Sequence, residues 1–199
     1  RGLVGSEMCI RDRNPTDSTS LRSNVIFSLL EDSSRRLWIG THNGLDRYIP
    51  EQDHFERISL SASPEAGRQI SALIEDRDGV LWIGTHRNGL IRYDSDTKEF
   101  NNWRQDPNQS NSLSSNTIGI IFEQGVAYSS ESYLWLGTES GGLNRFDKIS
   151  GEVTVYNESH GFRSRNIVAI SEQDDGTLWI ATENGLAHFN PETEVAVNY

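Results

Sequence analysis

The sequence predicts an all-β chain made of four copies of one four-stranded antiparallel sheet, and three observations lead there. A dozen residues recur four times: "LWIGTHNGLDRY" from Leu37, "LWIGTHRNGLIRY" from Leu81, "LWLGTESGGLNRF" from Leu134 and "LWIATENGLAHF" from Leu178. The motif tryptophans Trp38, Trp82, Trp135 and Trp179 are spaced by 44, 53 and 44 residues. A period of about 40–45 residues, filled with short strands, is that of a propeller blade. No window carries apolar residues at helical spacing between capping residues.

Each repeat divides into strands in the same order. An apolar run opens it: "NVIFSLLED" from Asn24, "QISALIED" from Gln69, "NTIGIIFEQ" from Asn116 and "NIVAISEQ" from Asn166. A near-continuous apolar run needs cover on both faces, so it is assigned to the innermost strand, beside the central channel. A hairpin such as "DRDG" (Asp76 to Gly79) follows, with Gly supplying positive φ. The second strand, "VLWIGT", places Leu81 and Ile83 on one face and Trp82 on the other. After the turn "HRNG" comes the third strand, "LIRYD", and then an outer strand: "HFERI", "EFNNW", "EVTVY" or "VAVNY".

One four-stranded sheet cannot bury its own faces, and repetition lets each pack on the next. Trp38, Trp82, Trp135 and Trp179 are therefore assigned to the structural core of the repeat. Gly40, Gly84 and Gly137, with Ala181 in the fourth copy, keep the backbone small beside them. The blades span about 14–60, 61–105, 106–157 and 158–199. Few propellers close with four blades, and residue 199 falls on a blade's last strand. Residues 14–199 are therefore expected to be part of a larger propeller.

The first 13 residues, "RGLVGSEMCIRDR", stand apart from the repeats and contain both Cys9 and Met8, the single cysteine and methionine of the chain. They are read as a non-native or disordered leader, with no apolar stretch long enough for a signal peptide. The whole chain has 199 residues, 35% of them hydrophobic, a mean hydropathy of −0.58 and a net charge of −11. That acidity argues against a nucleic-acid partner. No run of about 18 apolar residues suggests a membrane span, and no Cys/His spacing suggests a metal.

Two blades are preceded by matching connectors, "NPTDSTSLRSN" from Asn14 and "DPNQSNSLSSN" from Asp106. Ser-Leu-x-Ser-Asn ahead of an apolar strand is a turn signal with local side-chain hydrogen bonds. Together with "NVIFSLLED…LWIGT…GLDRY", these connectors resemble the two-component regulator propeller repeat over residues 14–199. The resemblance implies seven-bladed propellers, often in tandem, in the periplasmic sensor region of transmembrane receptors that end in a histidine kinase or diguanylate cyclase. It implies a periplasmic location, signal transduction, and membrane attachment only through segments beyond residue 199.

No catalytic motif is present: no G-x-S-x-G, H-E-x-x-H, Walker loop or G-x-G-x-x-G. The expected function is therefore ligand sensing without catalysis or cofactor. The rival functions are a propeller lyase, whose "LWFT" blades are similar but fit less well, and a scaffold that docks proteins. The candidate ligand face gathers the second-turn residues His42, Asn43, His86, Arg87, Asn88, Glu139 and Glu183 on the rim that also holds the connectors. Its expected ligand is a saccharide or another small polar molecule, with self-association of the receptor a further expectation. A metal shared by His42, His86, Glu139 and Glu183 is not expected, because equivalent positions on neighbouring blades lie about 10 Å apart. Arg47, Arg92 and Arg145, with His188 in the last copy, are expected to pair with Glu31, Glu75, Glu123 and Glu172. A bulky hairpin, Gly125 to Tyr133, should project from the opposite rim, where Tyr128 and Tyr133 are a rival protein-binding site.

Overall fold

The computed structural model describes residues 13–60, 69–125 and 133–199. Its strands form four antiparallel four-stranded sheets, each running in simple up-and-down order. Blade 1 holds β1 (Ile26–Glu31), β2 (Leu37–Thr41), β3 (Gly44–Ile49) and β4 (His54–Ile58). Blade 2 holds β5 (Ile70–Glu75), β6 (Leu81–Thr85), β7 (Leu90–Tyr93) and β8 (Phe100–Trp103). Blade 3 holds β9 (Ile118–Glu123), β10 (Tyr133–Thr138), β11 (Leu143–Asp147) and β12 (Val153–Tyr156). Blade 4 holds β13 (Ile167–Glu172), β14 (Leu178–Thr182), β15 (Gly185–Asn190) and β16 (Val195–Asn198). The helical element among the described residues is one 3₁₀ turn, Glu158–His160, ahead of blade 4. These strands fall where the repeat predicts them, in an all-β propeller architecture.

The inner strands β1, β5, β9 and β13 neighbour one another in sequence order, so the blades stack around a common centre. Three apolar clusters fill the three boundaries. Between blades 1 and 2, Trp38 and Leu45 meet Ile70, Leu81, Ile83 and Tyr93. Trp82 and Leu90 meet Ile118, Leu134, Leu136 and Phe146 at the next boundary. Trp135, Leu143 and Tyr156 meet Ile167, Leu178, Ile180 and Phe189 at the third. Each blade thus has an outgoing face that presents Trp and an incoming face that presents the Leu/Ile pair and an aromatic ring. The rings meet edge-on: Trp38 with Tyr93, Trp82 with Phe146 and Trp135 with Phe189, their centroids 5.4–5.9 Å apart.

Trp38, Trp82 and Trp135 are each 1% exposed. Trp179 is only half-buried, because no sheet among the described residues covers the outgoing face of blade 4. The inner strands are also less covered than an apolar run suggests. Ile70 is fully buried but the rest of β5 is partly exposed, since one flank looks into the open centre.

The third-strand arginines do not pair with the inner-strand glutamates. Arg47 bonds Glu56 on the next strand out, at 2.6 Å, and Arg145 lies over the Tyr133 ring, 4.9 Å from its centroid. His188 Nε2 lies 2.8 Å from Thr177 Oγ1. Glu31 pairs with Arg35 of its own hairpin, and the other three glutamates reach back to the first hairpin of the preceding blade. Glu75 accepts from the Ser33 amide at 2.6 Å and its hydroxyl at 2.8 Å, Glu123 from the Arg77 amide at 2.8 Å, and Glu172 from the Gly125 amide at 2.9 Å. The reason is position: each glutamate ends an inner strand at a blade boundary, whereas the arginine lies two strands outward, opposite the motif Trp.

Candidate functional site

The connector enters each inner strand at the end where the second turn leaves, so both occupy one rim. Backbone hydrogen bonds fix this arrangement four times. The amides of His42, His86, Glu139 and Glu183 donate to the carbonyls of Val25, Gln69, Thr117 and Asn166 at 2.9–3.2 Å. Each second turn is closed by the motif threonine. Thr41, Thr85, Thr138 and Thr182 donate their hydroxyls to the carbonyls of Gly44, Gly89, Gly142 and Gly185. These glycines have φ between 75° and 136°, a region costly to other residues. In blade 2, a Cβ on Gly89 would also stand 2.0 Å from the Trp103 carbonyl oxygen. The turns lean on the following blade too: Gly89 donates to Asn116 and Gly142 to Arg165.

On this rim His86 and Glu139 approach across blades 2 and 3, with Nδ1 3.9 Å from Oε2. The two positions lie on neighbouring blades, yet the side chains close the gap. His42 packs its ring 6.3 Å from that of Phe27, and Glu183 accepts from Asn166 Nδ2 at 3.4 Å. Asn43 is exposed, with its carbonyl receiving Arg22 Nη1 at 3.4 Å. Arg87 is exposed at φ 76°. Asn88 departs from the expected face: it is buried, its amide held by Thr85 Oγ1 at 3.0 Å and its carbonyl by Asn102 Nδ2 at 2.7 Å. The extra residue in "HRNG" lets Arg87 take the left-handed turn position and folds Asn88 inward.

The connectors rest on the rim through contacts that the sequence reading missed. Leu21 and Leu113 are buried plugs. Asp46, fully buried, accepts the Arg22 amide at 2.8 Å and faces Arg22 Nε at 3.2 Å. Asn144 does the same work in blade 3, accepting from the Ser114 amide at 3.0 Å and donating to its hydroxyl at 2.6 Å. Blades 2 and 4, which lack the long connector, carry Ile91 and Ala187 there. That correlation between "GLDRY" or "GLNRF" and the "SLxSN" connector was a signal available in the sequence. Burial outweighs Arg22 at Asp46 and holds its carboxyl above the ordinary range; burial likewise lowers the Arg22 guanidinium.

The opposite rim is built around ion pairs. Lys148, in the third turn of blade 3, bonds Asp76 at 3.0 Å, Asp78 at 3.0 Å and Glu123 at 2.8 Å. Burial alone would lower its ammonium, but the three carboxylates outweigh it and hold the group above its usual value. Tyr133 begins β10 at this rim, while Tyr128 and most of the Gly125–Tyr133 hairpin lie outside the described residues. Two clefts open between blades 2 and 3. One of about 380 Å³ is bordered by Asp76, Arg92, Asn101, Trp103 and Lys148, and one of about 400 Å³ by Asp106, Gln109, Asn111, Ser112 and Glu152. Neither is lined by the second-turn residues. Among the described residues no three His, Cys, Asp or Glu side chains gather as a metal site. No helix among them is long and apolar enough to cross a membrane.

Comparison with known proteins agrees with this architecture. A solved chain from B. thetaiotaomicron, described as the extracellular domain of a hybrid two component system, BT3049, superposes with a TM-score of 0.79 at 24% identity. The alignment covers 90% of the present chain and 25% of that one. PorZ, a surface component of the type-IX secretion system of Porphyromonas gingivalis, superposes with a TM-score of 0.51 at 15% identity over 92% of this chain and 33% of its own. The present chain therefore spans only a quarter to a third of the length of these structures. No curated protein matches it. The model of the two component regulator propeller family matches residues 20–43, 64–87 and 161–184, each from the connector through the inner strand to the second turn. Blade 3, where the equivalent stretch is interrupted by the long first hairpin, is not matched. With the same strand order and motif Trp in every blade, the chain is similar to the two component regulator propeller family in three of its four repeats.

Proposed function

We propose that this chain is the sensing region of a transmembrane signalling receptor, lies outside the cytoplasm, and binds a saccharide or another small polar ligand on its connector rim without altering it chemically. The observation that carries this reading is the convergence of His86 and Glu139 from adjacent blades. They offer a donor and an acceptor within reach of one ligand, next to exposed Arg87 in the same turn as His86. A polar ligand is held by such convergent polar groups. The three matches to the regulator propeller model and the likeness to an extracellular domain of a two component system support the sensory role and the location.

Calorimetric titration with a panel of neutral and acidic oligosaccharides tests the proposal. At least one should bind the parent protein, and His86→Ala or Glu139→Ala should weaken it about tenfold or more, as expected for one lost charge-assisted hydrogen bond. Absence of binding across the panel, or binding indifferent to both substitutions, would count against the rim.

A further inference from the structure

The boundary between blades 2 and 3 stays open at its outer edge, where the other two are shut. Each boundary ends at the last residue of an outer strand: Ile58, Trp103 and Tyr156, which stand opposite Leu45, Leu90 and Leu143 in register. Ile58 and Tyr156 are buried. Tyr156 also packs its ring against His160 and donates its hydroxyl to Glu194 at 3.0 Å. Trp103, the fifth tryptophan of the chain and the one outside the motif, is only partly covered. Its indole meets Trp82 and Phe146, with centroids 5.7 and 5.1 Å away. It also borders the cleft of about 380 Å³ that opens between the two blades.

The same cleft holds an arginine without a partner. Arg47, Arg92 and Arg145 occupy one register position, opposite Glu56, Asn101 and Thr154. Arg47 is bound to Glu56 at 2.6 Å, and Arg145 lies over the rings of Tyr133 and Tyr156. Arg92 and Asn101 both line the cleft. Among the described residues neither side chain makes a hydrogen bond, ion pair or ring contact. Asp94, two residues along the strand, has its Oδ1 taken by the amides of Asp96 and Thr97. Lys148 borders the cleft too, but its ammonium is committed to Asp76, Asp78 and Glu123. The guanidinium of Arg92 is thus left to solvent and to a ligand in the cleft.

We infer that this cleft is a binding site, separate from the connector rim, for an acidic sugar: a hydroxylated ring that carries a carboxylate. Each part of that ligand answers a group on the cleft wall. A guanidinium with its donors free suits a carboxylate, which it grips through a pair of parallel hydrogen bonds. The partly bare indole of Trp103 and, from blade 3, Ile149 at 86% exposure offer apolar surface on which a ring rests. Asp78, its side chain 64% exposed, is an ionised carboxylate and only accepts hydrogen bonds. It calls for hydroxyl donors and repels a carboxylate, so the two kinds of group must lie on different sides of one ring. The Asn101 amide, beside Arg92 in register, serves either.

The five indole N–H signals of a nitrogen–proton correlation spectrum read this site directly, the Trp103 signal being the one lost in Trp103→Phe. Titration of the parent chain with D-glucuronate should shift the Trp103 signal to saturation and leave those of buried Trp38 and Trp135 in place. D-Glucose, which lacks the carboxylate, and cyclohexanecarboxylate, which lacks the hydroxyls, should each bind at least about tenfold more weakly. Arg92→Gln should weaken glucuronate binding about tenfold or more, as one charge-assisted pair is lost. Arg92 holds no other side chain, so this variant should keep the parent's melting curve by circular dichroism. His86→Ala combined with Glu139→Ala should leave the titration unchanged, which separates the cleft from the rim. The inference fails if glucuronate leaves the Trp103 signal in place, or if glucose or cyclohexanecarboxylate binds as tightly. It also fails if Arg92→Gln binds as the parent does, or if the His86/Glu139 variant loses the shift.

Discussion

Trp82 donates its indole N–H to Asp76 Oδ2 at 2.8 Å, across the first hairpin of its own blade. Trp38 does the same to Asp32 at 2.8 Å, and Trp135 donates to Gln124 at 3.2 Å. The motif Trp is thus more than an apolar filler. A buried indole N–H needs an acceptor, and in blades 1 to 3 the residue after the inner-strand glutamate supplies it. In blade 2 the acceptor also binds Lys148 of blade 3, which ties the hairpin to the next sheet.

Truncation of this Trp should therefore be costly. Trp82→Ala is expected to lose about 3–5 kcal/mol through lost transfer energy and the cavity left behind. Trp179→Ala, on a face with no covering sheet among the described residues, should lose much less. Urea melts of the two variants check this, and equal losses would contradict the packing described.

Lys148 should matter more than any surface pair. Its side chain is 6% exposed and holds three carboxylates. Lys148→Met leaves Asp76 and Glu123 without their shared cation, and breaking a buried pair costs about 3–5 kcal/mol. Glu31→Ala removes only the exposed pair with Arg35 and should cost no more than about 1 kcal/mol. Chemical denaturation of both variants gives the comparison.

Acid should weaken the fold through Asp32 and Asp76. Burial pushes both carboxyls up, but the Trp indole, backbone amides, and Arg36 or Lys148 outweigh it and hold them below the ordinary value. A carboxyl depressed in the folded state contributes stability that is complete above the unfolded value of about 3.9 and is lost as pH falls through the folded one. Asp46 runs oppositely: its raised carboxyl contributes stability present at low pH and lost as pH rises through its folded value. Urea midpoints between about pH 5 and pH 3 should therefore fall in the parent. They should fall less in Asp76→Asn and more steeply in Asp46→Asn.

The glycine of the second strand gives a further check. Gly137→Ala places a methyl group 2.4 Å from Ile120 Cγ2 and 2.8 Å from Ile167 Cγ2, and should cost about 1–3 kcal/mol by overpacking. Thermal melts should show the loss for Gly137→Ala and a much smaller change for Ala181→Gly.

The four tryptophans, the turn glycines and the inner strands were legible because the repeat prints each of them four times. Ile70–Glu75 and Ile118–Glu123 fall on the stretches assigned to them. What the sequence hid depends on the angle between blades. Neighbouring sheets stand about 10 Å apart, and spacing alone separates His86 from Glu139; the folded turns bring their side chains to 3.9 Å. Asn88 looked like a rim residue because it lies in a polar turn, but the positive φ of Arg87 turns it inward. The glutamates were assigned to the third-strand arginines because charge complementarity was visible and the preceding hairpin's backbone amides were not. Trp179 matches the other three in sequence and differs in burial, because burial is a property of the neighbouring sheet.

The connector rim is tested most directly by the output of a full-length receptor that carries these blades. His86→Ala combined with Glu139→Ala should abolish the response to ligand, since the pair joins blades 2 and 3 at the rim. Tyr133→Ala, at the start of β10 on the opposite rim, should leave the response intact. An unchanged response in the His86/Glu139 variant, with loss of response in Tyr133→Ala, would place sensing on the other face and contradict the account.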